Sequence, residues 1–164
     1  LHVHPVIGRL LAPDITAQEY RAILQAYLSF YQDAEAIRKR YALMPALSFA
    51  PDLARIHSDL GVKQALPPPA LPISSSLQTL GMLYVLHGSR FGAVAIYRNL
   101  RVAMPHQAHA FFCQRPNKSI WHALLERMEE QQGRSAEISE IAEGSAITFD
   151  TFDKWLLLAI SSQS

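Results

Sequence analysis

Leu77 to Met104, LQTLGMLYVLHGSRFGAVAIYRNLRVAM, is apolar enough for one buried helix, yet glycine interrupts it at Gly81, Gly88 and Gly92. As a single helix it would run for roughly 40 Å at about 1.5 Å per residue. Ser74, Ser75 and Ser76 offer N-caps ahead of it, and Pro105 ends it. Each interior glycine costs about 1 kcal/mol against alanine. Their spacing puts the three on one helix face, and Ala93 and Ala95 extend the strip of small side chains. A helix gives up stability along one stripe where its backbone must come close to something flat, either another helix or a planar ligand. Leu77–Met104 is therefore expected to be the longest helix of the fold, bent near Gly88 or Gly92.

The rest of the chain has helical periodicity. His2 to Leu11 reads as the end of an amphipathic helix with Val6, Ile7, Leu10 and Leu11 on its apolar side. Thr16 and Glu19 have capping-box spacing and open a helix from about Ala17 to Arg40, closed by the basic pair Lys39 and Arg40. Pro51 suits the first turn of a short helix that runs to Leu60 and stops at Gly61. Lys63 to Ile73 is proline-rich and reads as a loop within one domain. Pro105 to Asn117 is irregular, anchored by Phe111 and Phe112. Ser119 to Gln132 is a helix with Trp121, Leu124, Leu125 and Met128 inward. The last helix is capped by Ser135 and buries Ile138, Ile141, Phe149, Phe152, Trp155 and Leu156. No segment alternates with period two, so the expectation is an all-α, single-domain multi-helix bundle over residues 1–164.

A net charge of +1 gives no electrostatic case for nucleic acid. The one cysteine, Cys113, excludes an internal disulfide framework and suits a reducing cytoplasm. No apolar run is long enough to cross a bilayer, so no membrane partner is expected. Cysteine pairs, HExxH, paired Glu-x-x-His and phosphate-loop patterns are all absent from the sequence.

The words around the glycines are more specific. LYVLHGSRFGAVAI resembles the distal-helix signature of bacterial haem oxygenases, an L-Y-V-x-E-G-S-x-x-G-G run that lies across the haem face. RLLAPDITAQEYRAILQAYLSFY is similar to the second-helix region of that family, and DLARIHSDLG to its R-x-x-x-L-x-x-D-L segment. The resemblance implies the haem oxygenase-like fold of the small biliverdin-producing type. It implies oxidative cleavage of haem to biliverdin, carbon monoxide and iron, with haem as both substrate and cofactor. Electrons would come from an external donor, a ferredoxin, flavodoxin or reductase, and a bacteriophytochrome is a further partner such enzymes serve. The alternative is a non-enzymatic haem-binding or phytochrome-associated module on the same fold.

The family pattern also assigns roles. Gly88, Ser89 and Gly92 match its distal wall, with Ser89 where mammalian members carry an aspartate that organises water; Ala93 replaces a second glycine and His87 a glutamate. His87 is expected to bond a neighbouring helix and not to face the haem. Lys118 and His122 match a basic pair that would meet the propionates, with Arg115 as a substitute and Tyr84 reaching the same edge. Without the resemblance, Lys118 and His122 read equally well as a solvated pair and Tyr84 as a core tyrosine. The axial iron ligand falls on His2, which stands only three residues before Pro5 where the family has about seven. Four residues between His2 and Val3 would restore that spacing, and the expectation is that the sequence closes over a gap there.

Overall fold

The computed structural model describes residues 4–61, 70–131 and 133–162. His2 and its link to Val3 lie outside the described residues, as do residues 62–69 of the proline-rich stretch. Among the described residues every regular element is helical: α1 (Pro5–Leu10), α2 (Ala17–Arg40), α3 (Ala50–Leu60), α4 (Ser76–Gly88), α5 (Ala93–Ala103), α6 (Lys118–Glu129) and α7 (Ser135–Ser161). Short 3-10 turns at Pro45–Leu47 and Ser89–Phe91 complete them. The result is an all-α multi-helix bundle.

The local signals act as their chemistry requires. The Thr16 hydroxyl accepts the Glu19 N–H at 3.2 Å while Glu19 accepts the Thr16 N–H at 2.8 Å, a reciprocal box that starts α2. Gly61 ends α3 with φ +68°, a left-handed turn that costs glycine nothing. Ser75 caps α4 by accepting the Gln78 N–H at 3.1 Å. α2 is the central post: Tyr20, Ile23, Leu24, Phe30, Tyr31 and Ile37 along it are all buried.

Leu77–Met104 differs from expectation in two ways. It is interrupted where the glycines lie, so that it forms two helices, α4 and α5, separated by the Ser89–Phe91 turn. The longest helix is instead α7, with 27 residues. The glycines also do not serve one purpose. Gly81 lies against the α7 backbone at Ile141 and Ser145, and Gly144 of α7 lies against Gln78 of α4. Each glycine vacates the space the other helix's main chain occupies, so α4 packs more extensively on α7 than any other pair of helices does. Two further details are corrected. Arg134, not Ser135, holds the N-cap position of α7. Ile138 and Phe149 are exposed on α7, while Ile141 and Leu156 carry its buried face.

Candidate functional site

The break between α4 and α5 opens onto a cavity of about 510 Å³. Val85, Leu86, Gly92, Ala93 and Ile96 form its wall on the broken helix. Phe111 and Phe112, with Phe149, Phe152 and Leu156 of α7, give it an aromatic and aliphatic lining. α1 closes another side through His4, Ile7 and Leu11. Leu11 and Phe149 are themselves exposed, so the cavity meets solvent beside them.

Polar groups are few and stand at two places. At the helix break, Ser89 donates to the Leu86 carbonyl at 2.7 Å, and Tyr31 lines the same chamber, its hydroxyl held by burial well above the ordinary tyrosine range. Beside them Arg90 meets Asp52 of α3 at 2.5 Å, and Gln114 donates to the other carboxylate oxygen at 3.0 Å. Burial raises the Asp52 carboxyl against the pull of Arg90 and Gln114. Among the described residues Arg90 is the only Lys or Arg lining the cavity, and its Nε has no partner there. At the second place, His4 accepts the Val6 N–H on Nδ1 at 3.3 Å, and its Nε2 stands 3.5 Å from Asp153. That pairing puts the imidazole proton on Nε2.

The expected site residues divide. Ser89 and Gly92 line the cavity. Gly88 does not: a Cβ there would lie 3.2 Å from the Trp121 ring, so its smallness admits α6, not a ligand. Tyr84 is exposed and stacked on Trp121 at 5.3 Å, away from the cavity and outside the core. Lys118, His122 and Arg115 are exposed and line none of the cavity: α6 turns Leu124 to the core and Lys118 and His122 outward, and Arg115 lies in the loop before it. They therefore do not form the expected basic edge. Tyr31, Asp52, Arg90 and Gln114 are the residues that sequence reasoning missed. The available signal was Arg90, a charge set inside an apolar, glycine-bearing helix.

His87 behaves as expected. It is buried, bonds the Leu47 carbonyl at 3.0 Å and stacks on Phe49 at 4.8 Å. Burial first, and Arg90 second, push its pKa down to about 3. A histidine that stays neutral in the folded state while the unfolded one protonates makes stability fall with acid. We expect stability to be full above about pH 6.5 and to fall toward pH 3, by up to about 1.4 kcal/mol per pH unit. Urea unfolding from pH 7 to 4 checks this, and His87→Phe should flatten the slope between pH 6.5 and 5.

Fold and cavity together give an all-α multi-helix bundle with an apolar chamber beside the α4–α5 break. None of the family models, curated proteins or solved structures compared with the chain matches it. No group of three or more His, Cys, Asp or Glu side chains suited to a metal ion occurs among the described residues. No helix there is long and apolar enough to cross a membrane.

Proposed function

We propose that the chain binds haem in the cavity beside the α4–α5 break and cleaves it, with oxygen and external electrons, to biliverdin, carbon monoxide and iron. The observation that carries this reading is the wall at the break. Gly92 and Ala93 bring helix backbone onto a chamber lined mainly by apolar side chains, which suits a flat apolar ring. The volume lies within the range of about 300–1,000 Å³ common to small-molecule sites.

The chain's groups fit that substrate in three respects. α1 and the residue before it reach the cavity through His4 and Ile7, and His2, the proximal ligand implied by resemblance, precedes them in the sequence. His4 as it stands serves the α1 cap and Asp153, which leaves the iron to His2. With Arg90 committed to Asp52, the propionates belong at the open side beside Leu11 and Phe149, where water can solvate them. Tyr31 and Ser89 place neutral hydroxyls on the apolar wall, able to hold a water and a proton there. The haem supplies the iron chemistry; the chain binds the ring, excludes bulk water and fixes where that proton sits. A ferredoxin, flavodoxin or reductase would deliver the electrons, and a bacteriophytochrome is the consumer of biliverdin that the resemblance suggests.

Aerobic incubation of the hemin complex with ascorbate tests the reading through biliverdin absorbance and carbon monoxide release. Ser89→Ala should keep the Soret band and lower the initial rate about a hundredfold, as loss of the group that holds a proton-delivering water does. A stable complex that yields no biliverdin would leave the non-enzymatic haem-binding module as the function.

A further inference from the structure

The net charge of +1 hides a segregation along the chain. Between Asp59 and Glu126 the sequence holds no Asp or Glu, while Arg90, Arg98, Arg101, Arg115 and Lys118 all fall in that stretch. Arg90 turns inward to Asp52, and the other four are exposed. Among the described residues no carboxylate pairs with any of those four. The fold brings them together. Val94, Arg98, Arg101 and Val102 recur at helical spacing on the outer face of α5, opposite the buried Ile96 and Leu100. Val102 is 82% exposed, an apolar side chain standing in water between arginines. The chain then returns beside α5. Cys113 shares a cleft with Tyr97 and Arg101, and Pro116 and Asn117 share a small one with Phe91, so Arg115 between them lies along the same helix. Lys118 follows at the start of α6.

A solvated face ordinarily mixes both signs of charge, whereas a face of one sign sets up a field that draws in an opposite surface. A small anion would need only the cations; the exposed valines among them suit a partner that also covers apolar surface. Membrane-surface helices insert Trp, Phe or Leu, and the outer face of α5 offers only valines. We infer that this face is the docking surface for a small acidic electron-carrier protein, with Arg98 and Arg101 at its centre. That the partner carries electrons rests on the haem reading above; the charge of the face does not. α5 and its N-cap supply the Gly92, Ala93 and Ile96 wall of the chamber on their inner side. A carrier on the outer side therefore stands about one helix diameter, roughly 10 Å, from the chamber. Opposite charge speeds the encounter of such partners and fixes their orientation without demanding a large interface.

An acidic [2Fe–2S] ferredoxin is the probe, and its binding to the full chain without haem is followed by biolayer interferometry. The wild type should bind saturably, with affinity falling at least about tenfold between roughly 0.05 and 0.3 M salt. Arg98→Glu and Arg101→Glu should each weaken binding about tenfold at the lower salt. Arg134→Glu makes the same change in net charge at the exposed N-cap of α7 and should change affinity less than about twofold. No ferredoxin binding by the wild type, an equal loss in Arg134→Glu, or binding of phosphatidylserine vesicles in place of ferredoxin would overturn the inference. Because the measurement needs no haem, a chain that docks ferredoxin through α5 yet takes no hemin would refute the haem reading and leave the docking face standing.

Discussion

Gly144→Val should destabilise the protein by at least about 3 kcal/mol, the upper end of what overpacking costs. A Cβ at Gly144 would fall on the carbonyl, Cα and carbonyl carbon of Gln78 on the facing helix, far inside van der Waals contact. Those atoms are main chain and have no rotamer to change. Relief therefore needs α4 and α7 to separate along their whole crossing, which also carries the reciprocal approach at Gly81. At about 2–4 °C per kcal/mol for a chain of this size, the melting temperature should drop by roughly 10 °C. Gly8→Ala is the matched control. It lies inside α1 with nothing within 4 Å of a Cβ, and replacing a helical glycine there should raise stability by up to about 1 kcal/mol.

The second large effect belongs to Glu35. Its carboxylate accepts Arg38 Nη2 at 2.7 Å and Nε at 2.9 Å, the Ser48 hydroxyl at 2.8 Å and the Phe49 N–H at 3.0 Å. It thereby ties the segment before α3 to the end of α2. Burial alone would raise the carboxyl, but these donors outweigh it and bring its pKa down to about 2. Glu35→Ala leaves the buried guanidinium with only the Leu43 carbonyl at 2.9 Å, and orphans the Phe49 N–H. The expected cost is about 3–5 kcal/mol, measured by urea unfolding at pH 7. Replacing both partners, Glu35→Leu with Arg38→Met, should recover most of it, since no charge is then stranded. With the folded pKa depressed below the ordinary 4.5, the carboxylate's contribution is full above about pH 4.5 and fades as pH falls toward 2. The Glu35→Ala penalty should shrink over that same window.

Which parts of this were legible in the chain follows from the range of each interaction. Capping is local, so Thr16 with Glu19, Ser75 and Gly61 mark helix ends from sequence alone. The interruption of Leu77–Met104 near Gly88 and Gly92 was legible too, because glycine and a serine cluster the weakness there. Which partner each glycine meets was not: Gly81 meets α7, Gly88 meets Trp121 and Gly92 meets the cavity, and only the tertiary arrangement separates them. Lys118, His122 and Tyr84 illustrate the same limit. A family pattern fixes their positions along a helix, but not the helix's rotation: on α6, with Leu124 inward, Lys118 and His122 face outward, and on α4 Tyr84 is exposed against Trp121. Asp52 and Gln114 reach the cavity from elements far away in sequence, drawn in by the charge of Arg90. A buried pair of that kind is visible only once its three elements are brought together.

The central claim is that the chamber beside the broken helix takes a haem, and a hemin titration followed by absorbance addresses it directly. Gly92→Phe is the discriminating variant. Its backbone, at φ −79°, accepts any residue, and a Cβ there meets only the Ser89 carbonyl at an ordinary 3.5 Å, so the fold survives while the ring fills the chamber. The account predicts a Soret band that saturates at one haem per wild-type chain. It predicts affinity at least about a hundredfold weaker in a Gly92→Phe protein with unchanged circular dichroism. No Soret change in the wild type, or equal binding by the two proteins, would contradict it.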